Sequence, residues 1–287
     1  QRNFARNLSW PLLLILFGVF TSFWTERLWF QSEGYGNVFS KVLLTRTVLF
    51  VVFGLFMAAA VTVNAYIAWR LRPVIRPSSV EQQSLDRYRE AIDPVRRWIV
   101  LGIGVLLGLI AGGSAAGHWK TFLQWQNGVS FGKDDPQFGM DIAFYVFDYP
   151  WWRFVLSFLF AAVVLGFIAA LVTHYVYGAI RLQTPGDKVT RSAQAHLSVL
   201  IGLFVLFKGV AYWLDRYALV VNGSFVGNQD LTGAGYTDIS AQLPSKTILA
   251  FIAVNCDVLF FANVWRRSWL LPGMSLGLLV LSAVLLG

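Results

Sequence analysis

The stretch DDPQFGMDIAFYVFDYPWW, Asp134–Trp152, interrupts a series of long apolar runs about halfway along the chain. It is acidic and aromatic, while the runs on either side reach or exceed the ~18–20 residues that cross a bilayer. The stretch is therefore expected at one membrane surface, between two spans. Composition agrees. Of 287 residues, 56% are hydrophobic and 13% charged, about half the charged share of a soluble domain. In lipid only helices and closed barrels satisfy their own backbone. The runs lack the alternation of barrel strands. The fold class is all-α: a polytopic transmembrane helical bundle.

Outward from this stretch, the sequence predicts about seven spans, at 8–24, 42–69, 98–117, 151–180, 192–214, 246–264 and 270–287. Residues 25–41 read as a short surface connection, with Gly34 and Gly36 permitting a turn. Arg46, near the end of the second span, is expected to snorkel, with Glu33 as the alternative partner. Ser84–Arg97 is expected as a short surface helix ending before Pro94. The segment from His118 to Phe131 sets Trp119, Phe122, Leu123 and Trp125 among polar residues, the pattern of an interfacial helix lying on the outer face. Residues 215–245 read as a Gly- and Asn-rich loop. Its Asn222-Gly223-Ser224 matches a glycosylation sequon, a three-residue match too common to use.

Charge placement sets the expected orientation. Arg2, Arg6, seven arginines within Arg70–Arg97, Arg181, Lys188, Arg191, Arg266 and Arg267 fall on one side, 14 of the 23 basic residues. Glu26, Glu33, Asp134, Asp135, Asp141, Asp148, Asp215, Asp230 and Asp238 fall on the other, 9 of the 15 acids. Basic loops stay cytoplasmic, so the N-terminus is expected inside and the C-terminus outside. The formal charge of +8 then reflects topology and anionic lipid, not nucleic acid. The single cysteine, Cys256, allows no internal disulfide or CxxC site. His118, His174 and His196 form no metal-binding motif. No cofactor and no catalytic set are expected, so the chain does not read as an enzyme.

Three stretches, DPQFGMDIAFYVFDYP, LWFQSEGYGNVFSKVLLTR (Leu28–Arg46) and GAGYTDISAQLP (Gly233–Pro244), resemble uncharacterised protein family 0182, large bacterial multi-pass membrane proteins found notably in actinobacteria. The loop motif carrying the resemblance includes Asp135, Pro136, Phe138, Asp141, Phe144 and Tyr145. The resemblance covers most of the chain. It implies an N-terminal membrane domain, here residues 1–287, followed by a large extracytoplasmic domain. It implies no activity.

Several residues invite a chemical reading. Asp257, near the middle of the sixth span, and Lys208 of the fifth lie about 16 and 9 Å below the outer surface by helical rise. They are expected to pair within the bundle, either as static glue or as part of an ion path. Asn64 and Asn263 are candidates for interhelical hydrogen bonds. His174 and His196 both fall near the cytoplasmic side, as satisfied interface histidines or, less simply, as a pH-responsive element. Gly104, Gly108 and Gly112 recur every four residues and form a flat helix-packing face. Asp134, Asp135 and Asp141 do not follow EF-hand spacing. Asp135 before Pro136 reads as turn chemistry.

The sequence thus predicts an integral protein of the bacterial cytoplasmic membrane. Its expected role is to anchor and position a large extracytoplasmic domain, or to serve in a cell-envelope membrane complex. The alternative is a transporter or channel using Lys208 and Asp257. Expected partners are the lipid bilayer and other membrane proteins or a second copy.

Overall fold

A computed structural model describes residues 2–73, 89–181, 188–221, 233–266 and 270–286. Among them the elements are α1 (Arg2–Ser32), α2 (Gly36–Arg70), α3 (Arg96–Gly117), α4 (Trp119–Gln126), α5 (Tyr149–Val176), α6 (Arg191–Val221), α7 (Leu243–Arg266) and α8 (Leu270–Leu286). π-helical turns at Phe144–Asp148 and Asp238–Gln242 run directly into α5 and α7. No strand occurs among the described residues, only isolated bridges such as Asp134 with Asp141. Five helical stretches are long and apolar enough to cross a membrane: Gly36–Arg70, Arg96–Gly117, Phe144–Val176, Arg191–Val221 and Asp238–Asn263. The expected first span, 8–24, overlaps α1, and the expected seventh, 270–287, overlaps α8, with residue 287 outside the described residues.

The helices pack mainly as successive pairs: α3 on α2, α2 on α5, α5 on α6, α6 on α7 and α7 on α8. Each seam has its own core. Met57 and Val61 of α2 meet Ala162 of α5. Ala68 and Ala170 meet Leu200 of α6. Val205 of α6 meets Ala253, Cys256 and Phe260 of α7. Outward-facing apolar side chains such as Leu55, Leu106 and Ile110 are exposed, as expected where lipid replaces protein as the neighbour.

Four expectations about boundaries are corrected. The surface connection at 25–41 shrinks to a turn, because α1 continues to Ser32 and α2 starts at Gly36. Tyr35 N–H donates to the Phe30 carbonyl at 2.8 Å and Gly34 N–H to Gln31 at 3.1 Å. With Gly34 at φ 78°, this is a Schellman stop. The fourth span ends at Val176 rather than Ile180. Gly178, at φ 71°, makes the same stop, with Ala179 N–H on the His174 carbonyl at 2.8 Å. The fifth helix continues to Val221, through the expected loop at 215–221. There Asp215 pairs with Arg153 of α5 at 2.8 Å. The helical sixth element likewise begins at Asp238, inside the expected 215–245 loop.

The short helix α4 forms where the interfacial helix is expected. Its Trp119, Phe122 and Trp125 pack on Leu49, Ala115 and Trp151, closing the ends of α2, α3 and α5. Arg46 lies over the Trp119 ring, 5.0 Å from its centroid. Residues 89–92 are helical and a turn spans 93–95 around Pro94. The remainder of the expected surface helix, and the sequon at Asn222, lie outside the described residues.

Candidate functional site

The loop between α4 and α5 is built around two aspartates. Asp141 accepts hydrogen bonds from the Ser130 hydroxyl and from the backbone N–H of Phe131 (3.2 Å), Gly132 (3.2 Å) and Ala143 (2.8 Å). The Ser130 hydroxyl, followed by the Ala143 N–H, holds its carboxyl down at about 2. Asp135 is buried. Its Oδ2 accepts from Phe138 N–H at 2.7 Å and from the Tyr145 hydroxyl at 3.1 Å. The π-helical turn at Phe144–Asp148 carries that tyrosine into the bundle. Phe138 and Phe144 then pack on Tyr217 of α6, at 4.9 and 5.2 Å between centroids. Pro136 sits in the turn that Gly139 N–H closes on the Asp135 carbonyl at 2.8 Å. The family motif is thus a clasp between α5 and α6. Its carboxylates are used on backbone and side-chain donors, as turn chemistry requires.

The glycine stripe faces α2 at backbone distance. Gly104, Gly108 and Gly112 are all buried. A Cβ added at Gly112 would stand 2.6 Å from the Phe50 carbonyl oxygen, and one at Gly104 would collide with the Thr62 methyl. Gly54 of α2 completes the seam opposite Gly108. Gly54, Ala58 and Thr62 recur every four residues, and Ala58 and Thr62 meet Gly104 and Gly108 as well, so the sequence did carry a signal for this face.

Two sets of buried and half-buried polar groups lie between the helices. In the first, His174 Nε2 meets His196 Nδ1 at 3.1 Å, and His196 Nε2 meets Asn64 Oδ1 at 3.1 Å. Asn64 Nδ2 donates to the Ala60 carbonyl at 2.6 Å, which fixes the amide so that Oδ1 accepts. His196 Nε2 therefore donates. In the neutral pair His196 Nδ1 accepts, His174 Nε2 donates, and His174 Nδ1 keeps a bare lone pair. That atom is buried and has no hydrogen-bond partner among the described residues. Gly166 makes room for Asn64, whose Nδ2 would lie 2.9 Å from a Cβ there. The line ties α2, α5 and α6 together. The sequence placed both histidines near one side, but it did not show that they touch.

The second set lies between α6 and α7. Asn263 donates to the Ser198 hydroxyl at 2.9 Å. Gln194, four residues before Ser198, is buried, and its Nε2 has no hydrogen-bond partner among the described residues. Gln194, Ser198 and Gly202 recur every four residues, a signal the sequence did carry. Asp257 is buried opposite Gly202, and its Oδ1 has no hydrogen-bond partner among the described residues. No ion pair joins it to Lys208 among the described residues, which corrects the expected pairing. The Lys208 amine instead lies over Tyr212, 4.5 Å from the ring centroid. The α6–α7 seam passes through Gly202, Val205 and Gly209. At roughly 100° per residue, Lys208 points about 100° away from it.

Described residues whose regular elements are all helical, with five helices among them long and apolar enough to cross a membrane, define the class. The profile of UPF0182, an uncharacterised protein family, matches residues 7–287, and the chain belongs to that family. It is 54% identical to a UPF0182 protein of Streptomyces coelicolor over 96% of this chain and 28% of that one. It is 53% identical to one from Nocardioides over 93% of this chain and 26% of the relative, and 48% identical to one from Thermobifida fusca over 96% and 27%. The chain thus spans little more than a quarter of the length of these relatives. No solved structure matches it.

Proposed function

We propose that residues 1–287 form a seven-span domain of the bacterial cytoplasmic membrane, N-terminus inside and C-terminus outside, that anchors and positions a large extracytoplasmic domain. The observation that carries this reading is one of proportion. Nearly the whole chain aligns with its relatives, yet it accounts for only 26–28% of their length. The helix seams support it, since α2 and α3 meet at backbone distance and suit a rigid mount. The reading assigns no catalytic residues and no cofactor. Its partners are lipid, a second copy or other membrane proteins of the cell envelope.

Alkaline phosphatase inserted at Gly132 is expected to be active, and inserted at Ser79 inactive. The reverse pattern sinks the orientation. In the full-length protein, replacing residues 1–287 by a cleavable secretion signal is expected to release the remainder from the membrane. Retention of that remainder sinks the anchor role. A transporter is the second reading, favoured by one observation: the buried Asp257 carboxyl, whose Oδ1 has no hydrogen-bond partner among the described residues.

A further inference from the structure

Asp257 is remote from both ends of its helix, about 21 Å of helical rise from Leu243 and about 14 Å from Arg266. It is 6% exposed, and Oδ1 has no hydrogen-bond partner among the described residues. Its own helix, α6 across from it and α8, which packs on α7, can each be searched for a counter-charge. From α6 it faces Gly202, where an added Cβ would lie 3.4 Å from Oδ1 and 3.3 Å from the Phe260 Cβ. The ionisable groups of that helix are turned elsewhere. Lys208 lies on Tyr212, His196 on His174 and Asn64, Asp215 on Arg153, and Arg216 on Trp213 and Phe138, while Arg191 starts the helix about 16 Å of rise from Gly202. On α7 the ionisable neighbour is Cys256, whose Sγ donates to the Ser275 carbonyl at 3.4 Å. The sequence of α8, Leu270–Leu286, contains no ionisable side chain. Burying an ionised carboxylate without a partner is far costlier than burying the neutral acid, and the niche offers nothing to offset that cost.

We propose that Asp257 is a proton-binding site: a carboxylic acid, held neutral between α6 and α7, that takes up and releases a proton inside the membrane. This rests on α7 crossing the bilayer and deepens the transporter reading. It does not depend on the anchor role.

Dicyclohexylcarbodiimide, an apolar reagent that adds to protonated carboxyls, tests it on the full-length protein in native membranes. The acid proton moves to a carbodiimide nitrogen as a carboxyl oxygen bonds to the central carbon, giving an O-acylisourea. Migration of the acyl group from oxygen to nitrogen then breaks that acyl C–O bond and leaves a stable N-acylurea, with no further reactant. Mass spectrometry of the peptide containing Asp257 is expected to show the adduct at neutral pH, and its loss as the pH is raised. The adduct is expected to vanish in Asp257→Asn and to persist in Lys208→Gln. Absence of the adduct from wild-type protein with a native unfolding profile overturns the proposal alone. An adduct that persists undiminished as the pH is raised also overturns it, since the acid would then release no proton. Equal labelling by a water-soluble carbodiimide would put Asp257 in water instead of a dry niche and overturns the proposal.

Discussion

Gly54 of α2 and Gly108 of α3 meet backbone to backbone. A Cβ built on Gly108 would stand 2.7 Å from the Gly54 carbonyl oxygen, and one built on Gly54 would stand 2.9 Å from that of Gly108. In lipid, apolar burial gives little drive to pair helices, so the gain comes from close van der Waals approach between small residues. Neither position has room for a side chain unless the helices separate.

Gly108→Val is therefore expected to destabilise the bundle by about 1–3 kcal/mol, the usual cost of overpacking, read as a lower thermal midpoint in detergent. Gly113→Ala is the control, since nothing lies within 4 Å of a Cβ there. An unchanged midpoint for Gly108→Val would show that the seam is looser than described.

The histidine line predicts coupling across helices. Asn64→Leu removes the acceptor of His196 Nε2 and strands a half-buried donor, at about 1 kcal/mol, the low end of the cost for a buried one. Once His196→Phe has removed that donor, Asn64→Leu is expected to cost much less. A double-mutant cycle on unfolding free energies checks this. Strictly additive losses would mean the contact carries no energy.

Lys208 and Asp257 are expected to behave independently. With the lysine amine over Tyr212, the losses from Lys208→Gln and Asp257→Asn should add to within about 0.5 kcal/mol. A larger coupling would restore the ion pair expected from the sequence.

Acid should loosen the loop between α4 and α5. The Asp141 carboxyl is lowered in the fold to about 2 from an ordinary 3.8, with the Ser130 hydroxyl as the largest cause. A depressed carboxyl stabilises above its unfolded value and loses that contribution as pH falls through its folded value. Protection of the Phe131, Gly132 and Ala143 amides from hydrogen exchange, corrected for intrinsic rates, is expected to hold above about pH 4 and fade towards pH 2. Asp141→Asn should show reduced protection already at neutral pH. Equal protection in both proteins across this range would remove Asp141 from its role as the loop's hub.

Sequence alone determined the helices and the small face of α3. Helical hydrogen bonds close within four residues, and long apolar runs leave the backbone no other solution in lipid. The every-fourth spacing of Gly104, Gly108 and Gly112 fixes one face by rotation alone. The stop at Val176 was less legible, because an apolar run does not reveal where Gly178 turns left-handed. Only the tertiary structure decided what each face meets. It set Gly54 against Gly108, His174 against His196, and turned Lys208 from Asp257 towards Tyr212. Partnership depends on how two helices are rotated and offset along their axes. One residue changes direction by about 100° and height by about 1.5 Å, so a contact between distant segments is fixed by the packing of all of them together.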